Sequence, residues 1–156
     1  MNKINLIEFN IFDLEDKYYL AHCISADFAL GAGIAKEFDI RYDLRTKLFN
    51  QYPGYVLGKR IMSNPEQADC ILIDKVFNLV TKSRYWQKPT YDSLSVSLNK
   101  MKNICIQNNI IKVAMPTIGC GLDKLDFDKV YNRIEEVFKD TNIEILICVK
   151  PSGIIH

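Results

Sequence analysis

A three-layer α/β/α sandwich around a mixed central sheet is the fold class this chain predicts, and three observations carry it. Short runs rich in Ile, Val and Leu alternate with segments of helical period, the pattern of helices packed on both faces of a sheet. Two glycine-bearing turns, Gly31-Ala32-Gly33 and Gly119-Cys120-Gly121, each follow an apolar run and precede a helical one. The consecutive β-rich segments between Tyr55 and Lys82 require part of the sheet to be antiparallel. With 156 residues, no internal repeat and no linker, one domain is expected.

Ile4 to Phe9 reads as the first strand. Tyr18 to Cys23 reads as a second, apolar on both faces and so central. After the first glycine turn, Ile34 to Phe38 and Asp43 to Gln51 are helical, and Tyr52-Pro53-Gly54 reads as a stop. Tyr55 to Ile61 is expected to be β, as is Cys70 to Lys82, with Ser63-Asn64-Pro65 as the turn between them. The second run is long enough to contain a bend or two strands. Thr90 then caps a helix whose apolar stripe is Leu94, Leu98, Met101 and Cys105, ending at Asn108-Asn109. Ile110 to Met115 is a strand, Asp126 caps a helix burying Phe127, Val130, Ile134, Val137 and Phe138, and Ile143 to Val149 is the last strand.

Composition narrows the function. A net charge of +1 disfavours a protein that grips nucleic acid by electrostatics alone, which needs clustered Lys and Arg. The five cysteines are odd in number, widely spaced and without C-x-x-C, so free thiols in a reducing compartment are expected. Lys3 and Glu8 interrupt any apolar leader and no run approaches a membrane span, so the expectation is a cytoplasmic protein with no membrane partner.

The first glycine turn lies between a buried strand and a helix start, where free backbone N–H groups and the positive end of the helix dipole favour an anion. It lacks the third glycine of the dinucleotide fingerprint and the G-K-[ST] of a P-loop, and alone it reads equally as a plain turn. The second turn occupies the corresponding place after Ile110–Met115, and two such loops at strand ends suit the two phosphates of a diphosphate. Lys82 closes a strand and Asp123 follows the second loop. By spacing alone these are a strand-end lysine and a turn aspartate, and they gain chemistry only where folding brings them together at a ligand. His22 and Cys23 are strand neighbours on opposite faces, which disfavours a dyad, and two histidines with unclustered carboxylates leave no metal site expected.

In order along the chain, Ala21–Ala35 (AHCISADFALGAGIA), Leu79–Lys82 (LVTK), Lys88–Leu94 (KPTYDSL) and Met115–Asp123 (MPTIGCGLD) resemble the macrodomain family. The likeness is narrower to its terminal ADP-ribose protein glycohydrolases and to macrodomain antitoxins that remove ADP-ribose from DNA bases. It covers nearly the whole chain, and implies a single macrodomain over residues 1–150 followed by a tail at 151–156. The resemblance implies ADP-ribose binding by Asn10 and Ile11, by His22 and Ser25, by Gly31, Gly33, Ile34 and Ala35 of the first phosphate loop, by Thr81, and by Pro116, Thr117, Ile118, Gly119, Cys120, Gly121 and Leu122 of the second. It also implies that Lys82 attacks C1″ of the distal ribose, or its opened form, with Asp123 assisting. No cofactor and no metal are implied. The partners are ADP-ribose and ADP-ribosylated protein or DNA, and a monomer is expected.

The chain departs from the family at Phe9-Asn10, where a Gly-Asp pair is usual, and at Cys148, where an aromatic is common. The rival functions are a non-catalytic ADP-ribose reader and an O-acetyl-ADP-ribose deacetylase or ADP-ribose 1″-phosphate phosphatase. A Lys82 nitrogen within about 4 Å of an Asp123 oxygen would favour catalysis, and a wide separation the reader.

Overall fold

The structure, a computed structural model, describes residues 3–57 and 64–151. Six strands form one sheet: β1 (Ile4–Glu8), β2 (Tyr19–Ser25), β3 (Asp69–Ile73), β4 (Val76–Lys82), β5 (Lys112–Met115) and β6 (Glu144–Val149), in the order β1-β6-β5-β2-β4-β3. All neighbours are parallel except β3, which runs antiparallel to β4 at one edge. The long β-rich run therefore resolves into a hairpin, with Asp74 in the left-handed region (φ 51°) at its turn.

Strand period divides the core. Ala21, Phe77, Leu79, Val113, Met115, Ile145 and Ile147 face one side, against Leu94, Leu98 and Met101 of α4 (Tyr91–Asn108) and Val130 and Ile134 of α5 (Phe127–Phe138). Their alternates Leu20, Ile24, Val76, Val80 and Leu146 face the other, against Phe38 of α1 (Gly33–Tyr42) and Leu44 and Leu48 of α2 (Leu44–Gln51). This is the three-layer α/β/α sandwich the sequence predicts. Thr90 accepts from Ser93 N at 2.9 Å and Asp126 accepts from Asp128 N at 2.9 Å, so both helices start where the caps indicated.

One expectation is corrected. Residues 55–57 are helical, not β: α3 spans Pro53–Leu57, and residues 58–61 of the expected strand, with Ser63, lie outside the described residues. Pro53 is the first residue of that helix, where its missing N–H costs nothing. Tyr55 then stacks on Phe28 with ring centroids 5.2 Å apart, and its hydroxyl donates to Asp69. A 3-10 turn spans Ile11–Leu14 after β1. Its cap is Asn10, whose Oδ1 accepts from Phe12 N at 3.1 Å.

Because β5, β2 and β4 are adjacent and parallel, the segments leaving their carboxyl ends must diverge from one place. Those segments are the second glycine loop, the first glycine loop and the Lys82 loop.

Candidate active site

A cleft of about 1440 Å³ opens over the carboxyl ends of the parallel strands, larger than the ordinary pocket for a small metabolite. Its walls come from five strand ends: Phe9 to Phe12 after β1, Ser25 and residues 29–35 after β2, Lys82 and residues 85–88 after β4, residues 116–119 and 121–124 after β5, and Cys148 to Pro151 after β6.

The first glycine loop leads into the N-terminus of α1. Its cap position, Ala32, has no side-chain acceptor, and the first turn carries no acidic residue. The free N–H groups and the dipole of that turn are thus left for an anion in the cleft. Gly33 sits at φ 59°, and a Cβ there would lie 3.1 Å from Leu122 Cδ1, so the two glycine loops touch across the cleft.

Gly119 holds the second loop. Its φ is 74°, its carbonyl accepts from Leu125 N at 2.7 Å, and a Cβ would fall 2.8 Å from the buried Leu125 Cδ1. Gly119→Ala should cost about 2–3 kcal/mol from left-handed strain and overpacking. At Gly121 a Cβ meets nothing within 4 Å, so Gly121→Ala should stay within about 0.5 kcal/mol of wild type. Chemical denaturation checks this, and equal losses at both positions would contradict the assignment.

Lys82 and Asp123, 41 residues apart, meet with Nζ to Oδ1 at 2.5 Å. Their side chains are only 13% and 15% exposed, so water screens the pair weakly. Ser25 is in register with Lys82 across β2 and β4, beside a bulge after Ile24. Its hydroxyl donates to Asp27, whose carboxylate also accepts from Ala29 N at 3.3 Å and Tyr85 N at 3.1 Å. Asp27 thereby ties the loop after Lys82 to the loop after β2. The sequence reasoning missed Asp27, and also Tyr85 and Trp86 on that loop. The available signal was an unusual Tyr-Trp pair in a polar segment next to Lys82.

Of the residues expected to bind the ligand, Asn10, Ile11, Ser25, Gly31, Gly33, Ile34, Ala35, Pro116, Thr117, Ile118, Gly119, Gly121 and Leu122 line the cleft. His22, Thr81 and Cys120 do not line it. Thr81 is buried in β4, and the Cys120 thiol donates to Ile118 O at 3.4 Å.

His22 lies fully buried, stacked on Phe38 at 4.2 Å. Asn78 Nδ2 donates to Ile71 O and Val76 O, which turns Asn78 Oδ1 toward His22 Nε2 at 2.7 Å. Nε2 therefore carries the proton and Nδ1 is the buried acceptor. Burial pushes the His22 pKa down from 6.5 to about 4, against the opposing Asn78 hydrogen bond. The unfolded chain binds this proton at higher pH than the folded one. Stability from neutral His22 is therefore complete above pH 6.5 and is lost as pH falls toward 4, by roughly 3 kcal/mol. Thermal denaturation across that window should show the loss, with a shallower slope in His22→Phe; the same slope in the variant would contradict it.

Cys23 lines the cleft, but burial first and the Asp123 carboxylate second push its thiol far above the usual range, which removes it as a thiolate nucleophile. Among the described residues no three His, Cys, Asp or Glu side chains gather as a metal-ligand group, and no helix is long and apolar enough to cross a membrane.

No family model matches the chain. The chain is 34% identical over 150 residues to ADP-ribose glycohydrolase OARD1 of Homo sapiens, covering 94% of this chain and 91% of that protein. It is 33% identical over the same length to the Bos taurus protein of that name, again covering 94% and 91%. Among solved structures, the macrodomain of Mycobacterium tuberculosis DarG superposes with a TM-score of 0.71 at 20% identity, covering 96% of this chain and 98% of that one. Thermosipho africanus DarTG in complex with ADP-ribose gives 0.75 at 14% identity, covering 100% of this chain and 44% of the other. At those identities the structural likeness speaks for the fold.

Proposed function

The chain belongs to the macrodomain family, and on that premise we propose that it is an ADP-ribosyl glycohydrolase that frees ADP-ribose from a modified carboxylate side chain or nucleobase. The observation that carries this reading is the 2.5 Å contact between Lys82 and Asp123, two poorly exposed groups on the walls of one cleft. A cleft that only reads ADP-ribose needs no amine and carboxylate held together in this way. The two glycine loops are the diphosphate clamp, set so that C1″ of the distal ribose comes to rest against Lys82 Nζ.

The chemistry then follows from the pair. Asp123 takes a proton from the Lys82 ammonium, which frees the nitrogen lone pair. That pair forms the N–C1″ bond while the bond from C1″ to the attached group breaks, its electrons leaving with the carboxylate or base. The ribose ring then opens at C1″, a proton passing from nitrogen to the ring oxygen as the C–N bond becomes an imine. Water adds to C1″ with one proton going to nitrogen and the other to solvent, the C–N bond breaks to leave the aldehyde that recloses to the ring form, and the amine regains its proton from Asp123. The products are free ADP-ribose, the unmodified group and regenerated Lys82.

Incubation with an ADP-ribosylated glutamyl peptide and with an ADP-ribosylated single-stranded DNA tests the reading. Release of free ADP-ribose from at least one substrate is expected. Tight ADP-ribose binding with no release from either would overturn it in favour of a reader.

A further inference from the structure

The loop that follows Lys82 carries two large aromatic rings that the proposed lysine chemistry does not require. Tyr85 and Trp86 are 63% and 69% exposed, yet they are not loosely placed. Their rings meet edge to face, centroids 5.0 Å apart at 88°. The turn beneath them is closed by Gln87 N donating to Arg84 O at 3.0 Å and Arg84 N donating to Gln87 Oε1 at 2.8 Å. Tyr85 N is tied to Asp27, and Asp27 to Ser25, the residue in register with Lys82. Two open aromatic faces are thus held in a fixed corner on the same cleft that Lys82 and Asp123 line.

The surroundings limit what the corner fits. Its chain neighbours are Arg84, Gln87 and Lys88, polar or basic residues rather than the continuous apolar rim of a protein-docking groove. The cleft is lined by five basic side chains (Arg41, Lys82, Lys88, Lys124 and Lys150) against two acidic ones (Glu37 and Asp123), on a chain of net charge +1. Exposed aromatic faces flanked by cations are what unstacked bases and their phosphates take up.

We propose that Tyr85 and Trp86 form a stacking platform for the group attached to C1″, selecting ADP-ribose carried on a base of a single-stranded nucleic acid over ADP-ribose carried on a peptide. The inference rests on the glycohydrolase reading and names the substrate that reading leaves open. A base presented from a strand stacks on Trp86, Tyr85 closes the corner, and Lys88 meets the strand's phosphate. An extended glutamyl peptide offers no planar ring to the platform.

Trp86 is the sole tryptophan, so intrinsic emission reports on this position alone. An ADP-ribosylated single-stranded DNA oligonucleotide should quench it at saturation, whereas an ADP-ribosylated glutamyl peptide of equal occupancy should leave it nearly unchanged. In Trp86→Ala, the KM for the oligonucleotide should rise about tenfold or more, while peptide KM and the Kd of free ADP-ribose move less than about threefold. Trp86→Phe should restore most of the oligonucleotide affinity. Equal losses on both substrates, no loss on either, or quenching by the peptide alone would overturn the platform and leave the glycohydrolase reading standing. If wild type cleaves neither substrate, the glycohydrolase reading fails instead. Binding of the same oligonucleotide to wild type and Trp86→Ala then still decides the platform, which falls if the two bind equally.

Discussion

Lys82→Ala is expected to reduce release of ADP-ribose by about 1,000-fold or more while ADP-ribose affinity changes by less than about tenfold. The asymmetry follows from where the residue sits. Lys82 is in a largely buried ion pair with Asp123, and the glycine loops that would hold the diphosphate come from other strand ends. Removing the amine deletes a bond made only on the way through the reaction, whereas in the bound state the ammonium is already engaged by Asp123 and its loss removes a net of about 1 kcal/mol or less. Single-turnover release beside calorimetric binding separates the two effects. A variant that kept substantial turnover, or that lost binding in proportion to turnover, would contradict the assigned role.

Asp123→Asn should slow release by about 100- to 10,000-fold, again with affinity for ADP-ribose largely kept. Asparagine preserves the volume and one acceptor oxygen beside Lys82, but it neither balances the ammonium charge nor takes up its proton. The poorly exposed lysine then loses its only ion-pair partner among the described residues, so a stability loss of about 1–3 kcal/mol should accompany the kinetic one. Thermal denaturation measures the second effect independently of the first. A rate within tenfold of wild type would mean that Asp123 orients Lys82 without moving its proton.

How much of this was readable in advance varies by the kind of signal. The layers were legible because strand period and helix period are written in the apolar residues, as at Leu94, Leu98 and Met101 or Ile145 and Ile147. Helix starts at Thr90 and Asp126 were legible because a capping side chain must lie at a fixed offset from the N–H it accepts. Residues 55–57 were not, because Pro53-Gly54 reads as a stop although proline also opens helices. The packing of Tyr55 on Phe28, 27 residues earlier in the chain, leaves no local trace.

At the site, the glycine loops and Lys82 and Asp123 were nameable from their segments, but the 2.5 Å contact depends on β2 lying between β5 and β4, a crossover no local pattern encodes. His22 shows the reverse: its alternation with Cys23 sends it to the α1 face, under Phe38 and away from the cleft wall. Asp27 was illegible because its role is a set of hydrogen bonds reaching Tyr85, 58 residues on.

Trapping the bond to Lys82 tests the covalent mechanism directly. Wild-type protein, turning over its ADP-ribosylated substrate, is quenched with borohydride, which reduces the open-chain imine between the amine and C1″, and the digested protein is examined by mass spectrometry. An ADP-ribosyl adduct is expected on the peptide bearing Lys82, absent without substrate. Free ADP-ribose accumulating while that peptide stays unmodified throughout would contradict it.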